Sequence, residues 1–484
     1  MAPRIRKSFF YNVVLTVFNL LVPIISFPYV SRILLAEGIG RAQFMLSFAQ
    51  YFVVLSCLGI PIYGVREIAK VRHEKVLLSQ TFFEILSINI ISTLIISVIY
   101  IYCIHNFVFF QHFKPSYLLV GILVFFSFFN IDWFYTGLEQ FKQIALRSVV
   151  IKLLSLLAIF VFIKKATDLN VYLLILVFSF LANQVWNVCL LPRFIQFPKE
   201  RIILGKHWKP IFVTFGILLA GSLYLVFDTV LLGLLSNESQ VGYYAAAVKL
   251  NRMVIPVITA LGVVLVPRLT VAINQENTAE VANLSGRSFW FISFLAIPSM
   301  VGLAFFAPQF LLLFAGSDFA PAIFPMQILS PLVVAVGYAN LFATQILLPA
   351  GKEKYYLRIV LLGGLLCVSL NFILVPMCGA IGAAIANMVT EFLITFFSYY
   401  YIKRFFAFHF PWKQAIVKCI ACFVLFGLIH QLTVQLFTRD ALILAVAVPS
   451  CAFVYVIYCY YIEKDTIFME LIHEQSRKLK LGKR

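Results

Sequence analysis

The stretch TFFEILSINIISTLIISVIYIYCI, residues 81–104, is dominated by large apolar residues. Wound as a helix at about 1.5 Å of rise per residue, it crosses the roughly 30 Å hydrocarbon core of a bilayer. In lipid, every backbone N–H and C=O must be paired within the protein, which leaves helices or closed barrels. Barrel strands are short and alternate apolar with polar residues, and this run does neither. Comparable runs recur along the chain. They place spanning helices at about 11–35, 44–64, 81–104, 116–138, 145–163, 171–193, 210–235, 242–267, 288–314, 325–349, 355–375, 379–402, 412–433 and 440–462. Hydrophobic residues make up 62% of the 484 and charged residues 12%. A soluble protein of this size needs more polar surface. The expected fold is an all-α polytopic membrane protein with about 14 transmembrane helices. Pro23, Pro28, Pro256 and Pro298 fall inside these segments and predict kinks.

The formal charge is +18. A basic chain can signal nucleic acid, but here Lys and Arg sit in short loops between apolar runs, the pattern that sets membrane orientation. With the N-terminus inside, most of the 38 basic residues fall on the inner side, including Arg66, Lys142, Arg147 and Lys418. The outer loops hold Arg32, Arg41, Lys114, Lys164, Lys165 and Arg439. Lys152, Lys249 and Arg252 remain within spans. Both termini are therefore expected in the cytoplasm, and no nucleic-acid partner is expected.

Other classes are argued against by what the chain lacks. No G-x-x-x-x-G-K-[ST] phosphate loop and no H-E-x-x-H motif is present. His105, His112, His207 and His409 sit in or beside expected loops and form no ligand cluster. The loops are too short for a catalytic domain, so no enzyme, metal or cofactor is expected. Cys419 and Cys422 make a C-x-x-C inside a span, where small packing residues are the expected reading. The basic Met1 to Lys7 leads into an apolar run longer than a signal peptide, read as a retained helix.

The chain repeats itself weakly. GIGRAQFMLSFAQ (38–50) parallels QVGYYAAAVKLNR (240–252), and GLEQFKQIALRSVVIKLLSLLA (137–158) parallels LPAGKEKYYLRIVLLGGLLCVS (348–369). Six expected helices separate equivalent points, so the halves share one orientation. This predicts two parallel six-helix lobes, 1–196 and 197–403, around a central cavity, with two further helices and a basic tail at 404–484.

Three stretches carry a family resemblance. GIGRAQFMLSFAQYFVVLSCLGIPIYGVREIAK (38–70), DWFYTGLEQFKQIALRSVVIKLLSLLAIFVFIKK (132–165) and FDTVLLGLLSNESQVGYYAAAVKLNRMVIPVITALGVVLVPRLT (227–270) resemble bacterial O-antigen and oligosaccharide repeat-unit flippases. These belong to the multidrug/oligosaccharidyl-lipid/polysaccharide superfamily. The resemblance implies two six-helix bundles in a V, in the bacterial inner membrane. It implies a polyprenyl-pyrophosphate-linked oligosaccharide, carried by alternating access driven by an ion gradient (Na⁺ or H⁺) or the membrane potential. A monomer working among membrane lipids, with or without glycan-assembly proteins, is the expected state. A drug/cation antiporter and a lipid II flippase of the same superfamily are the alternatives.

Charges within spans are the candidate site residues, because a charge in hydrocarbon faces a protein interior or a wet cavity. Lys249 and Arg252 lie three apart on one helix, so they share a face. They are expected to hold the pyrophosphate, or else to pair with Asp228 or Asp132. Arg matches phosphate oxygens with a planar fork, and Lys offers a point charge. The resemblance puts Arg32 among cavity-facing arginines; the other reading is snorkelling to the headgroups. Arg66 could meet the headgroup at an inner gate or serve as a positive-inside anchor, and Arg41 reads as interfacial. Asp228, Asp132 and Glu391 are candidates for ion coupling or ion pairing, Asp132 also for local pairing with Lys142. Asn19, Asn130, Asn340 and Asn387 could bind sugar hydroxyls or bond between helices.

Overall fold

The computed structural model describes residues 3–198, 202–225, 227–406 and 409–463. Among these the regular structure is helical, with no strand. Eleven helices are long and apolar enough to cross a membrane, or twelve if the bent pair Ser317–Leu329 and Leu332–Leu347 is one span. The fold class is as expected; the helices that pass this test are fewer than the fourteen expected.

The first helix, α1 (Pro3–Cys57), shows one reason. It counts once, yet Leu35 within it has φ 60° and ψ −179°, so two helices meet at a single residue. The loop expected across 36–43 is helical instead, so Arg41 stands on a helix rather than in a loop. Gly38 and Gly40 invite a loop reading, but Gly40 serves close packing, described below. The prolines behave unequally. Pro23 and Pro28 lie inside α1. Pro256 sits in the first turn of α11 (Ile255–Asn274), where a missing N–H costs no helical bond.

By contact the chain forms two compact units, Met1–Gly242 and Tyr243–Arg484. The first unit holds α1, α2 (Ile60–Val71), α3 (Lys75–Asn106), α4 (Lys114–Phe125), α5 (Asp132–Gly137), α6 (Phe141–Phe162), α7 (Leu169–Leu190), α8 (Gly205–Leu225) and α9 (Phe227–Leu235). Here α1 packs on α3, α4 and α6, while α2 packs on α3, α5 and α8. A core around Ile68, Phe82, Ile85, Trp133 and Phe134 joins α2, α3 and α5. The expected span 116–138 corresponds to one span, Lys114–Gly137, within which a 3₁₀ turn at Ser127–Phe129 separates α4 from α5.

The unit boundary falls within α10 (Glu238–Met253). The second unit continues with α11, α12 (Thr278–Phe305), α13 (Ala307–Ala315), α14 (Ile323–Leu329), α15 (Leu332–Ala339), α16 (Glu353–Cys378), α17 (Ala380–Phe405), α18 (Trp412–Leu436) and α19 (Asp440–Ile457). The expected span 325–349 is α14, α15 and a π-helix over Asn340–Leu347. In this unit α12 packs on α11, α15 and α18, and α18 on α19.

Two basic residues counted with the inner side are buried in helices. Arg147 lies on α6 and Lys418 on α18, with side chains 5% and 2% exposed. Each has a carboxylate partner, Asp132 at 2.9 Å and Glu463 at 3.4 Å. A paired cation can sit where an isolated one cannot. All nine cysteines are free thiols, and Cys422 is buried, as a packing residue would be.

Candidate functional site

In the first unit, the second half of α1 crosses the start of α10 at backbone contact. A Cβ added to Gly40 would lie 1.7 Å from the Glu238 carbonyl oxygen, and one added to Gly242 would lie 2.1 Å from that of Ala36. Only glycine leaves room for this approach. Beside it Arg41 donates from Nε to Glu238 Oε1 at 3.0 Å and from Nη2 to Glu238 Oε2 at 2.9 Å. Nη2 also donates to Glu37 at 2.6 Å, and the guanidinium lies 3.8 Å from the Phe113 ring centroid. The interfacial role expected of Arg41 becomes a tether between helices.

A second cluster forms where α5, α6 and α7 meet. Arg147 Nη2 donates to Asp132 Oδ1 at 2.9 Å, Nε to Asn183 Oδ1 at 3.0 Å, and Nη1 to Asn187 Oδ1. Asn187 Nδ2 donates to the same Asp132 oxygen at 2.8 Å. The partner of Asp132 is thus Arg147, not the Lys142 considered from sequence, which is exposed.

A third cluster was not foreseen. Glu84, on α3, is 0% exposed. Its Oε2 accepts from His207 Nε2 at 2.9 Å and from Lys206 Nζ at 2.8 Å. Its Oε1 accepts from the Ile203 amide at 3.1 Å. The other ring nitrogen of His207, Nδ1, is 2.7 Å from the Tyr63 hydroxyl. His207, read as lying in or beside a loop, stands in the first turn of α8 and is buried. One signal was present: Glu84 interrupts the apolar run 81–104, and a carboxylate there requires a partner.

Arg32 and Arg66 are exposed. Arg32 Nη1 donates to the Pro28 carbonyl at 2.7 Å. Arg66 Nε donates to Glu67 at 3.2 Å, and the guanidinium stands 5.4 Å from the Tyr63 ring centroid. Partial burial works against the Glu67 carboxylate, but hydrogen bonds and charges from Lys70 and Arg66 outweigh it and hold its pKa below the ordinary value. Asp228 is buried in the first turn of α9. Lys152, the remaining intra-span cation of this unit, donates to Asn19 Oδ1 on α1.

In the second unit, Lys249 and Arg252 stand near the end of α10, both half-buried. At 100° per residue they point within roughly 60° of each other. Between them Asn251 is fully buried, and its Nδ2 donates to the Ala247 carbonyl at 3.0 Å and the Met326 carbonyl at 3.2 Å, which fixes α10 on α14. The helix ends at Met253, and Val254 breaks it before α11. Arg252 therefore lies in the last turn, where helix carbonyls favour a cation. It makes no ion pair or hydrogen bond with the described residues. Glu391 is buried on α17, and its carbonyl accepts from Thr395 Oγ1 at 2.8 Å. Asn340 Oδ1 accepts from Gln345 Nε2 at 3.0 Å within the π-helix, and Gln345 Oε1 accepts from Ser288 at 2.7 Å. Asn340 thus bonds within its own helix.

Comparison with known proteins adds the following. The profile of a family described as "Polysaccharide biosynthesis protein" matches residues 5–273. A protein of Escherichia coli (strain K12) named as an O-antigen transporter is 23% identical over 419 residues, covering 81% of this chain and 95% of that protein. Among solved structures, lipid II flippase MurJ in its inward closed conformation matches with a TM-score of 0.65 at 15% identity, covering 95% of this chain and 100% of that one. An inward-facing multidrug resistance MATE family transporter of the MOP superfamily matches with a TM-score of 0.59 at 15% identity, covering 81% and 95%. The fold is that of these transporters.

Proposed function

Because this chain belongs to the polysaccharide biosynthesis protein family, we propose that it flips a polyprenyl-pyrophosphate-linked oligosaccharide from the inner to the outer leaflet of the bacterial cytoplasmic membrane. The observation that carries this reading is Arg252. A half-buried guanidinium without a carboxylate partner among the described residues, one turn from Lys249, needs an anion. A pyrophosphate supplies one, with oxygens that match the guanidinium fork.

In the proposed cycle the pyrophosphate docks on Lys249 and Arg252, with Arg32 and Arg66 guiding the headgroup at the two surfaces. The sugar occupies an aqueous cavity and the polyprenyl tail stays in lipid. The lobes 1–196 and 197–403 then exchange access, with both termini cytoplasmic. Asp228 and Glu391 are the proposed carriers of Na⁺ or H⁺. Asp132, held by Arg147, is the proposed ion-pair residue. The protein works as a monomer among membrane lipids.

Leaflet-resolved flipping in proteoliposomes tests this. Wild type should flip a polyprenyl-pyrophosphate oligosaccharide, and Lys249→Ala/Arg252→Ala should not. Flipping that survives the double substitution moves the site elsewhere. No flipping by wild type across several glycans, with an ion gradient imposed, favours a drug antiporter. Selective flipping of lipid II favours the peptidoglycan branch.

A further inference from the structure

We propose that Glu84, His207 and Tyr63 form a proton-binding site in which one arriving proton displaces the ammonium of Lys206. Neither Asp228 nor Glu391 takes part in it. As a coupling site it rests on the transport reading above; as a proton site it does not.

The hydrogen-bond directions follow from chemistry. An ionised carboxylate only accepts, so the proton between Glu84 Oε2 and His207 lies on Nε2. In the neutral imidazole Nδ1 is then an acceptor, and the Tyr63 hydroxyl donates to it. On protonation Nδ1 becomes a donor to the Tyr63 oxygen. A proton joins that oxygen as the Tyr63 O–H proton passes to Nδ1, and no other bond changes. Both states keep the two heavy-atom pairs of the imidazole, so the ring can switch charge without repacking.

Charge balance decides whether the switch is affordable in a buried place. Lys206 Nζ and His207 Nε2 contact the same atom, Glu84 Oε2, at 2.8 and 2.9 Å. Before protonation the pair is Glu84 and Lys206. Afterwards it is Glu84 and an imidazolium, provided Lys206 leaves. Lys206 can leave, because its side chain is 53% exposed whereas Glu84 and His207 are buried. The buried cluster stays neutral throughout, which avoids the cost of a net buried charge. The Ile203 amide remains on Oε1, so one tether of the chain entering α8 is released while the other persists.

Other charged and polar groups stand on the elements around the site. From α2 come Arg66 and Glu67, which act on Tyr63 and are paired with each other. On α5, which packs on α2, Asp132 is paired with Arg147. From α3, Gln80 reaches Glu84 Oε1 at 3.4 Å. Among the described residues Lys206 is the cation that competes for Glu84 Oε2.

The test uses the full chain in lipid nanodiscs with ¹⁵N-labelled histidine, the His207 signal being identified by its loss in His207→Gln. As the pH is lowered, the signal should pass from neutral to charged. Its midpoint should fall in Glu84→Gln and in Tyr63→Phe, a change that keeps the ring. It should rise in Lys206→Gln, which removes the rival cation, a shift that a packing role does not produce. A His207 that keeps one charge state as the pH is lowered, or a midpoint unmoved by Lys206→Gln, overturns the site. Coupling is read separately, as the ratio of flipping with a gradient of about one pH unit to flipping without it. Loss of one exchanged proton lowers that ratio about tenfold, and this is expected for Glu84→Gln. A wild-type ratio in Glu84→Gln overturns the coupling role. Absence of wild-type flipping rejects the substrate reading, and the His207 titration then decides the proton site alone.

Discussion

Arg41 grips Glu238 with two nitrogens, Nε on Oε1 at 3.0 Å and Nη2 on Oε2 at 2.9 Å, across 197 residues of chain. The pair ties the second half of α1 to the first turn of α10, beside the contact of Gly40 with Glu238. The fork geometry is favourable, but Glu238 is 38% exposed, and solvent screening weakens such a pair.

A double-mutant cycle of Arg41→Ala and Glu238→Ala, read by thermal unfolding in detergent, should therefore give a coupling of about 0.5–1 kcal/mol. Strict additivity of the two single changes would show that the pair contributes nothing.

Gly40→Ala and Gly242→Ala should each cost more, about 1–3 kcal/mol, because the new methyl overlaps backbone that cannot rotate away. Gly216, in α8, meets nothing within 4 Å. Gly216→Ala should be neutral or slightly stabilising, since alanine suits a helix interior better by up to about 1 kcal/mol. Equal unfolding temperatures for the three variants would contradict the crossing.

Arg147→Ala removes the donor that satisfies Asp132, Asn183 and Asn187. Buried polar groups left unpaired cost about 1–3 kcal/mol each. Arg147→Lys should rescue little, because one ammonium cannot reproduce three directed contacts. Asp132→Asn should be milder, since the Asp132 side chain is 45% exposed. Folded yield and unfolding temperature rank the three variants, and an Arg147→Lys as stable as wild type would refute the fork argument.

Arg252→Ala should lower flipping by at least about tenfold, the effect of losing one charge-assisted contact of roughly 1.4 kcal/mol or more. Membrane insertion should be unchanged at matched protein level. Arg252→Lys should retain part of the activity, because it keeps the charge and loses the fork. Export of surface glycan in cells carrying each variant measures this, and normal export with Arg252→Ala would remove the residue from the site.

The local composition of the chain was enough to read the helical class, the multiple membrane passes and the family likeness. An apolar run of bilayer length has one backbone solution, whatever surrounds it. The cations near α10's end were legible for the same reason: a charge in such a run stands out. Helix boundaries were less legible. Leu35 reads like its neighbours, and only its φ of 60° divides α1.

The choice of partners could not be read from the chain. Spans that are apolar all round do not declare which face meets which helix. Glu84 meets His207 across 123 residues, and Asp132 meets Arg147 rather than Lys142. That these charges need partners follows from residue type and position in the chain, because an isolated charge is costly in a low dielectric. Which partners they have depends on how the helices pack side by side, and no single stretch of chain specifies that.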